Sequence, residues 1–429
     1  MLDIKFIREN QDFVQKSISN KGVKLDIGDF LKIDRERRLL LTEVESLKRQ
    51  KNEFSDKIGK MMAAKQNPKD LIDSMKTLSQ KIAILDTKVE EICSKFDNFM
   101  YNIPNIPHDS VPVGLTAEAN KIIKEHGKMP KFDFKPRTHI EIGELLGIFD
   151  FGRAAKISGT GFALYKGYGA RLERALLNFM LDMHTKKHGY TEVFPPFLVN
   201  RKSMTGTGQL PKLEEDMYKL KDDDLFLIPT AEVPVTNIHA NETLNEKDLP
   251  IYYTAYTACF RREAGSYGKD TKGLTRVHQF DKVELVKFVK PETSYDELEK
   301  LLADAEEVVQ ALELPYRVAA LSTGDMSFSA SKCYDIELFA PGVKKWLEVS
   351  SCSNFTDFQA RRANIRYKPA DRQTSRPANQ YVHTLNGSGV ALARLVIAIV
   401  EVHQAKDASV KIPEKLRPYM DGLEAIRPS

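Results

Sequence analysis

Apolar side chains between residues 35 and 100 recur at alternating intervals of three and four. The first run, which Lys51 interrupts at one position, consists of Leu40, Val44, Leu47, Phe54, Ile58 and Met61. The second run follows Asn67-Pro68 and consists of Leu71, Met75, Leu78, Ile82, Leu85, Val89, Ile92, Phe96 and Phe99. This heptad pattern predicts helices that pack along one apolar seam. Because proline interrupts a helix, we expect an antiparallel coiled-coil hairpin over about residues 35–100.

The rest of the chain mixes strand-like runs with helical stretches. Two prolines within four residues, at Pro104 and Pro107, favour an extended linker over 103–114, between a domain of 1–102 and one of 115–429. Residues 170–188 have the spacing of an amphipathic helix. Strand-like runs lie at 189–194, 224–228, 254–261, 280–289, 334–338 and 345–351. Most are joined without an intervening helix, which predicts an α+β domain with helices packed on an antiparallel sheet.

Charge is distributed unevenly along the predicted hairpin. The whole chain has a net charge of only +4, which excludes a uniformly basic surface but not a local basic patch. Residues 35–66 contain nine Lys/Arg against five Asp/Glu, whereas 69–97 contain five against six. Two interpretations remain open at this point. The first helix is either an ordinary solvated or dimerising coiled-coil face, or a basic rod that follows a phosphate backbone.

Cysteine usage and hydropathy indicate the cellular setting. Cys93, Cys259, Cys333 and Cys352 are scattered without a Cys-x-x-Cys pair, which favours reduced thiols over a disulfide or a zinc site. The first residues are mixed in character, with charged side chains from the start and no apolar core of signal-peptide length, and no run reaches the ~20 apolar residues of a membrane span. We expect a cytoplasmic protein with no membrane association.

The segment from Cys259 to Phe280 contains the strongest chemical signal. A predicted strand ends at Arg261, a loop rich in glycine and basic residues follows, and a second strand returns with Arg276, Phe280 and Glu284. A guanidinium fixed at a strand end suits a phosphate or a carboxylate, because its fork donates two parallel hydrogen bonds. Any one of these residues is also consistent with a surface ion pair or a core aromatic, but the whole assembly favours a nucleotide site.

These residues resemble motif 2 of a class II aminoacyl-tRNA synthetase in its seryl form, over about 254–288. Gly189-Tyr-Thr-Glu-Val-Phe-Pro-Pro196 with its preceding helix resembles motif 1, about 170–198. Asn386-Gly-Ser-Gly-Val-Ala-Leu-Ala-Arg394 resembles motif 3, about 384–404, which we interpret as a glycine-rich turn followed by a helix. With the N-terminal hairpin of the common, bacterial-type seryl branch, the resemblance covers essentially the whole chain. It implies activation of L-serine with ATP, followed by transfer of serine to the 3′ end of tRNA(Ser).

The resemblance also implies which residues hold the substrates. Thr230-Ala231-Glu232 is similar to the TxE element that binds serine in this family. The implied serine-binding residues are Thr230, Ala231, Glu232, Arg261, Glu284, Asn386 and Ser388. The implied ATP-binding residues are Arg261, Arg262, Glu263, Val277, His278, Gln279, Phe280, Glu348, Val349, Ser350, Ser351 and Arg394. Of these, Arg261, Glu348 and Arg394 are the expected catalytic residues.

A divalent cation and macromolecular partners follow from the same resemblance. Glu348 and Ser351 would hold the Mg²⁺ that accompanies ATP. No zinc is expected, because the full-length arm and the TxE element belong to the branch that selects serine without it. The expected partners are tRNA(Ser), bound by the coiled-coil arm, tRNA(Sec) in organisms that use selenocysteine, and a second copy of the chain in a homodimer. Gly206-Thr-Gly-Gln-Leu-Pro211 is interpreted as a lid over the serine pocket.

Three other classes of protein account for less of the sequence. A non-catalytic paralogue should have lost at least one of Arg261, Glu284, Glu348 and Arg394, and all four are present. A ligase that loads an amino acid onto a carrier protein should lack the long hairpin. A purely structural coiled-coil protein leaves some 300 residues of mixed pattern unexplained.

Overall fold

A computed structural model describes residues 1–264, 272–370 and 379–428. The helices in these ranges are α1 (Ile4–Glu9), α2 (Gln11–Asn20), α3 (Ile27–Ala63), α4 (Lys69–Asn102), α5 (His139–Leu146), α6 (Phe151–Ser158), α7 (Tyr168–Lys186), α8 (Arg201–Thr207), α9 (Glu232–Thr236), α10 (Ser294–Ala311), α11 (Phe358–Ala363) and α12 (Leu392–Val402). The strands are β1 (Lys121–His126), β2 (Thr191–Glu192), β3 (Leu198–Asn200), β4 (Leu225–Leu227), β5 (Thr243–Asn245), β6 (Ile251–Phe260), β7 (Gln279–Val289), β8 (Tyr316–Ala320), β9 (Lys332–Ala340), β10 (Lys345–Asn354), β11 (Arg366–Lys368), β12 (Gln380–Tyr381), β13 (His383–Ala391), β14 (Val410–Lys411) and β15 (Ala425–Ile426).

The chain divides into two compact units. One consists of Leu2–Ser19 and Val23–Pro104, and the other of Met1, Asn20–Gly22 and Asn105–Ser429. The division after Pro104 lies inside the predicted 103–114 linker.

The first unit contains the predicted helical hairpin, which is confirmed. Helix α3 begins after Asp26, whose side chain accepts a hydrogen bond from the Gly28 N–H at 2.7 Å and so satisfies one free donor of the first turn. The 37 residues of α3 correspond to about 55 Å of helix. The helix ends at Ala63, and α4 begins directly after Pro68. Phe30 of α3 packs against two aromatic rings of α4, Phe96 and Phe99, each at a centroid distance of 5.3 Å.

An eight-stranded sheet forms the centre of the second unit. Its strand order is β1-β8-β9-β10-β13-β7-β6-β2. Neighbouring strands are antiparallel, except that β2 runs parallel to β6. The predicted antiparallel sheet is therefore confirmed, whereas the strand expected over 189–194 is shorter and comprises only Thr191–Glu192. Strand β13, which comes late in the chain, lies between β10 and β7 in the middle of the sheet.

Helices α7, α10 and α12 pack on this sheet through fully buried side chains, among them Leu176, Leu301 and Ile397. Buried apolar residues recur along α7 and α10 with the spacing of an amphipathic helix, whereas every residue of α12 except Arg394 is buried. In the described ranges no helix is both long and apolar enough to cross a lipid bilayer.

The interpretation of Asn386-Gly-Ser-Gly as a turn is wrong, because these residues lie inside strand β13. The glycines serve close packing. A Cβ atom at Gly387 would lie 3.0 Å from Cys352 Sγ and 3.1 Å from Leu301 Cγ, and one at Gly389 would lie 2.7 Å from His184 Nε2. Only a residue without a side chain allows the covering helices this close to the strand.

Candidate active site

Most of the predicted site residues surround one cavity of about 590 Å³ in the second unit. It lies over the middle strands of the sheet, where β7, β10 and β13 contribute lining residues, and Arg261 lines it directly after β6. The predicted residues that line it are Thr230, Glu232, Arg261, Glu263, Val277, Phe280, Glu284, Glu348, Val349, Ser350, Ser351, Asn386, Ser388 and Arg394. Segments that are more than 150 residues apart in sequence therefore converge on a single space.

Four predicted residues do not line the cavity. Ala231 is fully buried in the apolar cluster beneath it. Arg262 is exposed, and its backbone N–H donates to the Asp216 carbonyl oxygen at 3.0 Å. The Nδ1 atom of His278 lies 3.0 Å from the Arg261 carbonyl oxygen, and Gln279 pairs with the strand opposite. The motif 2 loop between residues 265 and 271 lies outside the described residues.

A cluster of polar side chains forms one part of the cavity wall. The Thr230 hydroxyl donates to Glu284 Oε2 at 3.1 Å, and the Asn386 amide donates to Glu284 Oε1 at 2.6 Å. Lys282 forms an ion pair with Glu284 and donates to Thr230 Oγ1 at 2.7 Å. Glu284 is buried, so these donors compensate for the loss of water around its carboxylate. By contrast, Ser388 Oγ is buried with no hydrogen-bond partner among the described residues.

Glu232 adds a second buried carboxylate to this polar cluster. Burial, together with the negative charge of Glu284, raises the pKa of Glu232 to about 7. Hydrogen bonding to Gln359 and the positive charges of Lys282 and Arg261 act in the opposite direction. Two carboxylates held this close to each other form a site that attracts a cation with several hydrogen-bond donors.

Arginine and aromatic side chains form a second part of the wall. Arg261 follows β6, and its Nε–H donates to the Pro229 carbonyl at 3.3 Å. Its guanidinium carbon lies 5.1 Å from the centre of the Phe280 ring, within range of a cation–π contact. The Arg394 Nη1 group donates to the Glu348 carbonyl oxygen at 2.7 Å, and its Nε–H to the Thr275 carbonyl at 3.4 Å. Both guanidinium groups are thus oriented by backbone oxygens beside the cavity.

A β-bulge brings Glu348 and Ser351 together. Residues three apart on a regular strand point to opposite faces of a sheet. The pairing of β10 with β9 shifts by one residue between Glu348 and Ser350, which turns the following side chains over. As a result, Ser351 Oγ lies 3.1 Å from Glu348 Oε1 and 2.6 Å from Asp335 Oδ1. The bulge places a carboxylate and a hydroxyl on one face, next to Arg394.

Three residues of this arrangement were not among the predicted site residues: Lys282, Asp335 and Gln359. Lys282 lies two residues from both Phe280 and Glu284 on β7. Because side chains two apart on a strand share a face, the sequence could have placed Lys282 at the site. Asp335 and Gln359 lie on β9 and α11, outside every motif. Their contacts with Ser351 and Glu232 depend on tertiary structure alone.

Within residues 1–264, 272–370 and 379–428, no three His, Cys, Asp or Glu side chains form a group that could hold a metal ion. Glu348 and Ser351 are nevertheless oxygen donors of the kind that Mg²⁺ takes when substrate phosphates and water complete its coordination.

An antiparallel sheet with two arginines and an aromatic ring over one face, joined to a polar pocket, defines the class II aminoacyl-tRNA synthetases. Residues 217–403 match the model of the tRNA synthetase class II core domain (G, H, P, S and T). Residues 1–107 match the model of the seryl-tRNA synthetase N-terminal domain.

Similar proteins extend this match over the whole chain. A serine–tRNA ligase of Thermodesulfovibrio yellowstonii is 55% identical over 430 residues and covers 100% of both chains. One of Caldanaerobacter subterraneus subsp. tengcongensis is 56% identical, over 100% of this chain and 99% of the relative. The crystal structure of seryl-tRNA synthetase from Pyrococcus horikoshii complexed with ATP superposes with a TM-score of 0.90 at 40% identity, covering 100% of each chain. The chain belongs to the seryl-tRNA synthetases, which are ATP-dependent serine–tRNA ligases.

Proposed function

We propose that the cavity activates L-serine with ATP, and that the resulting seryl group is then transferred to the 3′ end of tRNA(Ser). The observation that carries this assignment is the convergence of two kinds of wall on one space. The carboxylates of Glu232 and Glu284 suit the ammonium and hydroxyl groups of serine. Arg261, Phe280 and Arg394 suit the phosphates and the base of ATP.

Activation requires positioning and charge stabilisation but no nucleophile from the enzyme. A carboxylate oxygen of serine attacks the α-phosphorus, the new P–O bond forms, and the bond to pyrophosphate breaks. Negative charge grows on the phosphate oxygens during this step. Arg261 is placed to donate to the α-phosphate and the serine carboxylate, and Arg394 to the γ-phosphate. The second step passes the acyl group to a ribose hydroxyl of the terminal adenosine and likewise depends on orientation.

Selection of serine follows from the hydrogen-bond capacity of the pocket. Thr230, Glu232, Glu284 and the unpartnered Ser388 hydroxyl offer buried polar atoms to the substrate. Alanine would leave these atoms unpaired, at a cost of about 1–3 kcal/mol per group. Threonine would have to be excluded by lack of space for its additional methyl group.

Mg²⁺ fits this site through Glu348 and Ser351, whose oxygens share one face of β10. When bound with ATP, the ion would neutralise part of the charge on the phosphates. We expect Glu348→Gln to raise the Mg²⁺ concentration needed for half-maximal ATP–pyrophosphate exchange by about tenfold or more. Binding of Mn²⁺ in the presence of ATP, followed by electron paramagnetic resonance, provides a readout that is independent of turnover.

Glu337→Gln is the matched control for this variant. Glu337 lies opposite Glu348 on β9, but its carboxylate pairs with Arg317 and does not line the cavity. An unchanged Mg²⁺ requirement in Glu348→Gln, or an equal increase in both variants, would contradict the assignment of the metal ligands.

The hairpin is proposed to bind the tRNA, with 1–102 as the tRNA-binding domain, 103–114 as the linker and 115–429 as the catalytic domain. The excess of basic residues on α3 supports this role, since tRNA recognition rests largely on phosphates and shape. In cells that contain tRNA(Sec), the same surface would accept it.

We further propose a cytoplasmic homodimer that pairs through the motif 1 region. Sedimentation equilibrium should give twice the mass of the chain.

ATP–pyrophosphate exchange with each of the twenty amino acids, in the absence of tRNA, tests the proposed activity. We expect exchange with serine and at most a trace with alanine, threonine or cysteine. Robust exchange with another amino acid and none with serine would overturn the assignment. If no amino acid supports exchange, the chain would be a non-catalytic paralogue.

A further inference from the structure

Gln359 makes three hydrogen bonds that join separate elements around the serine pocket. It lies on α11 and is fully buried. Its Nε2 group donates to Glu232 Oε1 at 2.6 Å and to the Thr207 carbonyl oxygen at 3.1 Å. Its Oε1 atom accepts from the Thr384 hydroxyl at 2.8 Å. Both amide protons and the amide oxygen are therefore in use.

The partners determine how this amide is oriented. Glu232 and the Thr207 carbonyl are acceptors on the same side of Gln359, so a reversed amide would place its oxygen against two other oxygens. Thr384 can donate its proton to the amide oxygen in the observed orientation. The side chain thus has one arrangement that satisfies every group, and that arrangement always presents a donor to Glu232.

Two of the three partners line the cavity, and the third lies on a strand that also contributes to it. Glu232 lines the cavity at the start of α9, and Thr207 lines it at the end of α8. Thr384 lies two residues before Asn386 on β13, so both side chains point to the same face. A displacement of Gln359 would therefore disturb the Glu232 carboxylate, the predicted lid and the motif 3 strand together.

We propose that Gln359 is a positioning residue for serine: its amide holds the Glu232 carboxylate towards the α-ammonium group of the substrate and ties it to β13. This inference rests on the proposed function and extends it to a residue outside the three motifs. Gln359 does not line the cavity, so it acts through Glu232 and makes no contact with serine itself.

Because of the charges around Glu232, the role of Gln359 should appear in the pH dependence of the KM for serine. Glu284 and Lys282 act on Glu232 from β7 and Arg261 from the residue after β6, while the neutral amide of Gln359 contacts it from α11. Burial and Glu284 raise the pKa of Glu232 to about 7, and the hydrogen bond from Gln359 lowers it. The carboxylate ionises as pH rises through this value, so the KM for serine should fall between pH 6 and 8. Without the amide donors the pKa rises further, and the same fall should move to higher pH.

Gln359→Met tests the proposal, because methionine is similar in shape but donates no hydrogen bond. At pH 7 we expect the KM for serine in ATP–pyrophosphate exchange to rise about tenfold, with the KM for ATP changed by less than about twofold. The ratio of variant to unaltered serine KM should shrink towards pH 9, where Glu232 is ionised in both proteins and only the penalty for the lost orientation remains. Deprotonation of serine itself affects both equally and cancels in the ratio.

Thr384→Val and Asn354→Leu complete the design. Thr384→Val keeps both Nε2 hydrogen bonds and releases only the amide oxygen, so we expect about a threefold rise in serine KM with the same pH trend. Asn354 is an equally buried amide that donates to the Ser294 carbonyl and does not line the cavity. Asn354→Leu should lower the melting temperature while leaving the KM for serine unchanged.

Three results would overturn the role of Gln359: equal rises in the KM for serine and ATP, a serine penalty that is constant from pH 7 to 9, or the same serine penalty in Asn354→Leu. In each of these cases, normal serine-dependent exchange by the unaltered enzyme would still support the proposed function. Absence of serine exchange in the unaltered enzyme would contradict both proposals.

Discussion

Replacing Arg261 with alanine should reduce serine-dependent ATP–pyrophosphate exchange by about 1,000-fold. The guanidinium is oriented by the Pro229 carbonyl and lies over Phe280, so it is held beside the cavity before substrates arrive. In the proposed reaction it donates to the attacking carboxylate and the α-phosphate. Loss of one preorganised donor to a developing oxyanion costs about 100- to 1,000-fold, and loss of a full positive charge lies at the upper end. Initial rates of exchange at saturating serine and ATP measure the effect.

Arg261→Lys and Arg317→Ala sharpen this prediction. Lysine keeps the charge but cannot donate two parallel hydrogen bonds, so Arg261→Lys should recover only a small part of the lost activity. Arg317 is a partly buried arginine on β8 that pairs with Glu337 and stacks on Trp346, away from the cavity. Its replacement by alanine should change exchange by less than about threefold. Near-normal exchange in Arg261→Ala would remove this residue from the mechanism.

Deleting residues 43–95 should abolish aminoacylation of tRNA(Ser) and leave amino-acid activation nearly intact. The cut retains Phe30 of α3 and its partners Phe96 and Phe99, so the packed base of the hairpin remains. A short glycine linker replaces the turn between the two helices. Every residue that lines the cavity lies beyond position 200, in the other compact unit. Exchange without tRNA and charging of tRNA(Ser) should be measured on the same preparation.

A pair of triple variants locates the tRNA contact within the hairpin. Arg49, Lys57 and Lys60 are exposed on α3, and Lys76, Lys88 and Lys95 are exposed on α4. Changing the first set to glutamine should raise the KM for tRNA about tenfold and reduce its dependence on salt, whereas the second set should have a smaller effect. Equal loss of activation and charging in the deletion variant would contradict the division of labour between the two units.

Local signals in the sequence were sufficient for the hairpin and for the motif 2 strands. The heptad pattern and Asn67-Pro68 determine the structure of residues close to them in sequence. The observed helices end before that pair and begin again after it. The alternation along β7 likewise placed Phe280 and Glu284 on one face. Such features depend on the chain's own periodicity, and tertiary packing reinforces them.

Contacts that depend on distant segments were not predictable in the same way. Asn386-Gly-Ser-Gly has the composition of a turn, but pairing with β10 and β7 and the close approach of Leu301 and His184 make it a strand. Gln359 lies in a six-residue helix with no motif, and its importance appears only when Glu232, Thr207 and Thr384 surround it. A single sequence contains no period or spacing that specifies these neighbours.

The central place of β13 has a consequence for the newly made protein. In the sheet, β13 separates one group of strands (β1, β8, β9 and β10) from another (β7, β6 and β2). All seven of these strands are synthesised before residues 383–391. Until then β10 and β7 each present an unpaired edge, the kind of surface on which nascent chains aggregate. Insertion of β13 joins the two groups and brings Asn386 and Ser388 to the pocket in the same event. Protection of these edges and ability to bind substrate are therefore acquired together, near the end of translation.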